Sequence, residues 1–386
     1  MDNYKIRMAM VGGGEGAFIG AVHRMAARLD GQIELVAGAF SADPHKSTAM
    51  GKQLGLAPHR CYDNYETLLR QEAALPESER IHFVAIVTPN HLHFPIAVAA
   101  IKHGFHVLSD KPATLNLSEA LQLQSLLQGT HCLYGLTHTY TGYPMVKEAR
   151  HRIATGELGT IRKVVVEYSQ GWLASADDEH SKQASWRLDA SKSGISCCMG
   201  DIGVHAANLA EYVSGLEIES LCADLNTVVP GRQLDDDGTV LLRFNNGAKG
   251  LLMASQIALG EENNLTLKIV GDKASIEWSQ MEPNSLWLKF ANAPAQLIRT
   301  GVGTLSQAAS NATRIPAGHP EGYLEAFANI YLNFANLIRA HQQQPTVQPD
   351  EFDVPSIKAA IRGMAFIENA VAASAKDTKW HPFTIG

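Results

Sequence analysis

The chain of 386 residues is poor in cysteine. It has five (Cys61, Cys132, Cys197, Cys198 and Cys222), an odd number with no CxxC pair. That argues against a disulfide framework or a structural zinc site and points to free thiols in a reducing compartment. No run approaches about 18 apolar residues, so no membrane span is expected. Basic residues are not in excess: 32 Lys+Arg against 39 Asp+Glu leave a formal net charge of −7. A nucleic-acid partner, which usually leaves a basic patch, is therefore not expected. The start does not read as a signal peptide, because Asp2 is followed by a strand-like run broken by glycines. Internal repeats and low-complexity segments are missing as well. What remains, at 45% apolar and 18% charged, is the composition of an ordinary soluble protein. Its length suggests two domains, and the cytoplasm is the expected location.

The first third alternates strand-like and helix-like segments. Strands are predicted over 6–11, 33–40, 82–89, 106–112 and 131–136. The intervening stretches, among them "AVHRMAARLD" and "FPIAVAAIKHG", carry helical apolar spacing. Strands separated by helices imply right-handed crossovers and a doubly wound parallel sheet. Near residue 140 the pattern changes. After one helix come many strands and few helices, with Asn246-Gly247 as a hairpin signal. In "LTLKIV", Leu265, Leu267 and Ile269 point one way and Thr266, Lys268 and Val270 the other. We read an α/β domain over 1–137 and an α+β domain with a large, mostly antiparallel sheet over 138–386. The outer face of that sheet needs covering by helices or by another subunit. Stripes on 321–340 and 355–373 are the expected covering helices.

The segment "AMVGGGEGAFIGAVHR" joins the first strand to a helix, where backbone N–H groups and the helix dipole can receive a pyrophosphate. Its glycines do not fit G-x-G-x-x-G without an insertion of three residues between Gly14 and Gly20. Gly12, Gly14, Phe18, Ile19 and Gly20 are the expected contacts, and Glu15 should point to solvent. The second strand ends near Ser41 with no acidic residue at 39–42, where an NAD site usually presents one for the ribose. Ser41 and Lys46 could instead hold a 2′-phosphate, a weak lean toward NADP over NAD. Thr88, Pro89, Asn90 and His93, at the end of another strand, are further expected cofactor contacts, with Asn90 and His93 expected on the nicotinamide side. His91 and His93 share one side of an extended segment without a third ligand, so no metal site is expected.

Asp110-Lys111-Pro112 lies at the carboxyl edge of a parallel strand, where ligands bind in open sheets. Lys111 there fits either an ordinary rim charge or a group that stabilises a substrate alkoxide. Asp201 and His205, four apart, share a helix face. Singly they fit an N-cap and a half-buried histidine; as a pair they fit a carboxylate that orients a general base. "DDD" at 235–237 lacks calcium-loop spacing and reads as a solvated turn. "GISCC" is no nucleophile elbow, and Cys197 and Cys198 read as buried.

Taken in order, the glycine loop with trailing His23, "TPNHLH", "SDKP", "SWRLD", "GDIGVH" and "GHPEGYLEAFANIY" resemble the Gfo/Idh/MocA family of NAD(P)-dependent oxidoreductases along nearly the whole chain. The resemblance implies a Rossmann domain followed by a domain built on a large antiparallel sheet. It places Lys111, Asp201 and His205 in the active site. It also puts Trp186, Arg187 and Asp189 near the substrate, with His138, Tyr140 and His319 as further contacts. Departures are Asp110 for the family's glutamate, a glycine-rich segment reduced to "SGISCCMG", and "THTY" in place of a frequent tyrosine-arginine.

The activity implied is hydride transfer between nicotinamide and a secondary alcohol of a sugar, inositol or related polyol. The expected assembly is a homodimer or homotetramer packed through the open sheet. Two rivals remain at this point: a glycosidase that uses NAD transiently, and a non-catalytic dinucleotide sensor.

Overall fold

The computed structural model describes residues 4–175 and 182–386. It divides into two compact units. One runs to Thr137 and takes back Phe327–Ile361; the other comprises His138–Ala326 and Arg362–Gly386. The domain boundary read from sequence left 327–361 with the second domain, so the return of that stretch to the first unit is a difference the sequence did not announce.

The first unit is built on a parallel sheet. Its strands are β1 (Ile6–Gly12), β2 (Ile33–Ala39), β3 (Phe83–Val87), β4 (His106–Ser109) and β5 (Tyr134–Leu136), in the order β2-β1-β3-β4-β5. These strands read as continuous apolar runs because both faces are buried. β4 and β5 are shorter than predicted: Asp110-Lys111-Pro112 lies beyond the end of its strand, and residues 131–133 precede theirs. The helices between them start where the side chains dictate. Asp43 accepts from the backbone N–H groups of His45 and Lys46. Asn116 caps the helix Leu117–Gln128 through Glu119 N, while Glu119 reaches back to Leu115 N.

The second unit holds a nine-stranded sheet. In chain order the strands are β6 (Ile161–Ser169), β7 (Ile218–Asn226), β8 (Asp237–Phe244), β9 (Lys249–Ser255), β10 (Asn264–Gly271), β11 (Ala274–Ser279), β12 (Ser285–Phe290), β13 (Ala293–Arg299) and β14 (His381–Pro382). Their order is β13-β12-β11-β10-β6-β9-β8-β7-β14, antiparallel except for the β6/β9 pair. Val240, Leu242, Leu252, Val164, Val166, Leu265, Leu267 and Ile269 alternate onto a buried face. Against it pack the helices Pro144–Ala154 and Val204–Ser214. The opposite face carries exposed Leu241, Met253 and Trp287 beside a Lys268–Glu277–Lys289 ion ladder.

Two expectations need correcting. The helix stripes at 321–340 and 355–373 were read as cover for the large sheet. In part they pack elsewhere: Tyr331 and Phe334 lie edge-on to His23 and Phe83 in the first unit, and Ile357 and Ala360 join that unit's core, while the second helix from Arg362 onward belongs to the second unit, where Ser374 Oγ accepts from Leu225 N of β7. Helical periodicity reports that a face is buried and is silent about which sheet buries it. The "DDD" segment is not a solvated turn either. Asp236 is fully buried, accepting from Val228 N and Val229 N and pairing with Arg232. Asp235 is nearly so, and burial pushes its carboxyl up.

Candidate active site

In the first unit the site is drawn by backbone. β1 ends at Gly12, whose φ is +86°; a Cβ there would stand 2.4 Å from the Val87 carbonyl oxygen at the tip of β3. A Cβ on Gly20 would stand 2.3 Å from the Cα of Gly13, so loop and helix touch through two hydrogens. Gly13, not singled out in the sequence, is thus as necessary as Gly12 and Gly14. The three inserted residues fold into a turn closed by Ala17 N donating to Gly14 O at 3.0 Å, and Glu15 is exposed as expected. The helix Phe18–Leu29 then starts without a side-chain cap and without an acidic residue in its first turn. First-turn N–H groups with no side-chain acceptor, beside glycines that admit a close approach, fit a pyrophosphate. Phe18 is largely exposed at this lip, with Ile19 half-buried behind it. At the tip of β2, the Ser41 hydroxyl accepts from Asp43 N at 3.1 Å, and Lys46 is exposed one turn further on.

Lys111 is held from both sides. Asp110 accepts from Thr137 Oγ1 at 2.6 Å and from Lys111 N at 2.9 Å, with His23 Nε2 3.8 Å away. Burial works against the charge of Asp110, yet His23, Lys111 and Thr137 together hold its carboxyl well below the usual carboxylate range. His23 is fully buried, its Nδ1 2.7 Å from the Tyr331 hydroxyl. On the other side, Lys111-Pro112 is a cis peptide bond, and the Pro112 carbonyl lies 2.7 Å from His93 Nδ1. The other nitrogen of His93 meets the Thr88 carbonyl at 2.8 Å, and the ring is fully buried. His93 was expected to face nicotinamide. With both nitrogens engaged by backbone it is instead a staple between the end of β3 and the Lys111 turn. Thr88 and Pro89 remain half-buried at that strand end, and Asn90 is buried in the turn that follows.

In the second unit the site is drawn by side chains. His205 is nearly buried, with the rings of Tyr140, His138 and Tyr168 at 4.9, 5.5 and 6.3 Å. Tyr140 and Tyr168 share a hydroxyl–hydroxyl hydrogen bond, and burial raises both phenols far above their ordinary range. Asn263 accepts from Tyr168 at 2.7 Å and donates to Tyr140 at 3.2 Å; Gln170 donates to Asn263 and accepts from Trp172 Nε1.

Asp201 sits inside a π-helical turn, Met199–Gly203, just before the helix that carries His205. Such turns favour functional positions. Its carboxylate is no N-cap: Oδ2 accepts from Arg187 Nε at 3.1 Å and from Gln256 Nε2 at 3.0 Å. Arg187 also lies over the rings of Trp186, at 4.3 Å, and Trp172. Arg187, expected near the substrate, is ion-paired with Asp201. Asp189 caps the next short helix and pairs with Lys192. His319 stays apart: it is exposed in a turn with its Nδ1 on the Pro316 carbonyl, and the ring that approaches Tyr140 from this part of the chain is Tyr323. Among the described residues no group of three or more histidine, cysteine or carboxylate side chains is placed to hold a metal ion. No helix among them is long and apolar enough to cross a membrane.

The comparisons agree with this architecture. Residues 6–138 match the model of an oxidoreductase family with an NAD-binding Rossmann fold, and residues 146–277 match the GFO/IDH/MocA C-terminal domain. The uncharacterized oxidoreductase YfiI of Bacillus subtilis is 34% identical over 98% of this chain and 97% of its own. A crystal structure of an inositol dehydrogenase homolog from Azotobacter vinelandii complexed with NAD+ superposes with a TM-score of 0.94 at 34% identity, over 99% of this chain and 100% of that one. An oxidoreductase from Sinorhizobium meliloti is 44% identical, with a TM-score of 0.87 over 98% of this chain and 99% of that one. Glycine loop, lysine turn and Asp–His helix thus stand on a chain that belongs to the Gfo/Idh/MocA family of oxidoreductases.

Proposed function

We propose that the protein interconverts a secondary alcohol and a ketone on an uncharged sugar, inositol or related polyol, with NAD as cofactor. The observation that carries this reading is the carboxylate of Asp201, fixed by two donors one turn before His205. Bound nicotinamide supplies the hydride acceptor or donor. His205 takes or returns the hydroxyl proton, Asp201 orients its imidazole and stabilises the imidazolium, and the Lys111 ammonium stabilises the substrate oxygen.

Two features support an uncharged substrate. The groups around His205 are phenols, amides and the imidazole of His138, and the guanidinium of Arg187 is ion-paired with Asp201. Trp186, His138 and Tyr140 complete the proposed substrate contacts. A crystal structure of the Azotobacter vinelandii protein with NADH and myo-inositol gives a first compound to try.

The lean toward NADP read from Ser41 and Lys46 is outweighed, in our reading, by Asp43. Its carboxylate caps the next helix beside Ser41 and places negative charge where a 2′-phosphate would have to sit. We further propose a homo-oligomer packed through the exposed face of the nine-stranded sheet, where Leu241, Met253 and Trp287 are each more than a third exposed.

The test is a panel of myo-inositol and neutral monosaccharides beside their phosphorylated forms, with NAD and NADP in parallel, following reduced nicotinamide. Lys111→Met and His205→Ala should each lower turnover by about 10²-fold or more. Wild-type turnover in both variants would refute the assignment, and released sugar without reduced nicotinamide would favour the glycosidase.

A further inference from the structure

We infer that Gln256 is a positioning residue of the reaction proposed above: its carboxamide, oriented by the Cys197 thiol, fixes the plane of the Asp201 carboxylate. The inference rests on that reading for its functional meaning. Gln256 follows the end of β9 and is fully buried. Its two ends are chemically distinct. Nε2 donates to Asp201 Oδ2 at 3.0 Å, while Oε1 accepts from Cys197 Sγ at 3.4 Å. A carboxamide can flip, but here the flipped form is excluded. It would set an amide oxygen against a carboxylate oxygen and leave the thiol proton facing an NH2 group. The thiol proton is dependable, since burial first, and then Asp201 and Asp235, push the Cys197 thiol far above its ordinary range.

Both ends of this bridge are anchored by the buried acidic pair. Asp235 accepts from Cys197 N, Met199 N and the Ser196 hydroxyl, all within 3.0 Å. The Asp236 carbonyl accepts from Gln256 N at 2.9 Å, and Gln256 O accepts from Leu173 N at 3.1 Å. The strand end and the π-helical turn are therefore tied to one segment, and the carboxamide spans between them. Arg187 supplies the second donor to Asp201, from a different element. Charged and titratable groups that also act on Asp201 or sit beside it include Cys197, Cys198, Tyr168 and His205. A partly buried carboxylate held by a flexible arginine keeps rotational freedom; a rigid donor beside it restricts that freedom.

The test compares Gln256→Leu, Gln256→Glu, Cys197→Ser and Cys197→Ala with Asp201→Asn. The carboxyl resonances of 13C-aspartate-labelled protein are titrated, with Asp201 assigned by its absence in D201N. This readout needs no substrate. Loss of the donor in Q256L should raise the Asp201 midpoint by about one pH unit, and the second carboxylate of Q256E should raise it further. With myo-inositol and NAD as the probe, Q256L should lower kcat about tenfold or more while KM changes little, with the acid limb of the pH profile moved upward. C197S, which keeps a donor, should behave as wild type, and C197A should fall between. In a D201N background Q256L should add nothing.

An unmoved Asp201 midpoint in Q256L overturns the inference, as does a loss confined to thermal stability. Should Q256L fail to fold, the difference between C197S and C197A decides instead. Wild-type turnover in D201N and H205A would sink the proposed function alone, while the carboxyl titration would still judge whether Gln256 holds Asp201.

Discussion

The two units position their candidate functional residues by opposite means. In the first, position is set by what the residues lack: Gly12, Gly13 and Gly20 let backbone meet backbone at distances that no side chain permits. In the second, position is set by what the residues reach. Arg187, Asp201 and Gln256, spread over 70 residues of sequence, converge on one carboxylate oxygen. A backbone site tolerates no added atom at its contact points, whereas a side-chain site degrades by degrees as donors are removed. Each variant below is a way to break or sharpen that contrast.

The largest effect is expected at Gly20. A Gly20→Val variant forces its side chain into Gly13, and we expect dinucleotide binding to be abolished, as read by fluorescence titration with NADH. Next comes Arg187→Met, which removes the guanidinium donor from Asp201 and keeps the carboxamide of Gln256. Turnover should fall by about 10- to 100-fold with the fold intact by circular dichroism.

Smaller and pH-dependent is Asp110→Asn. The folded-state pKa of Asp110 is depressed, so its contribution to stability is full above the ordinary carboxylate value of 3.8 and is lost as pH falls through the folded value. The gap in Tm between wild type and D110N should therefore be widest near neutrality and close on strong acidification.

Smallest is His82. Burial, then Arg7, lowers its pKa from 6.5 to about 4. The native state keeps it neutral, and its contribution is lost as pH falls from about 6.5 to about 4. A His82→Gln variant should flatten the fall of Tm over that window slightly and leave Tm at pH 8 close to wild type.

How much of this was legible follows the same contrast. Glycines and strand-ending prolines are local, so the parallel sheet and the glycine loop could be read from short stretches, while the proposed roles of Lys111, Asp201 and His205 came with the family resemblance. Gln256 could not. It ends the run "KGLLMASQ" like any polar residue after a strand, and its meaning depends on register with residues 55 and 59 positions away. His93 failed for a related reason: a histidine at a strand end reads as a ligand-facing group until both nitrogens are found on carbonyls. "DDD" misled because hydropathy treats three carboxylates as solvated, and cannot see Asp235 and Asp236 satisfied by the backbone N–H groups of Cys197, Met199, Val228 and Val229.

The return of Phe327–Ile361 to the first unit has a consequence for the order of events during synthesis. Residues up to Thr137 are translated before the second unit, yet their unit cannot finish before Phe327–Ile361 follows. His23 waits for the hydroxyl of Tyr331, and Phe83 waits for Phe334. Nearly the whole of the second unit is translated in between. A gene fragment stopped after residue 137 would encode every strand of the parallel sheet and still leave part of its apolar face wet, prone to stick to its neighbours. The unit that is started before its neighbour is completed after most of that neighbour has been made.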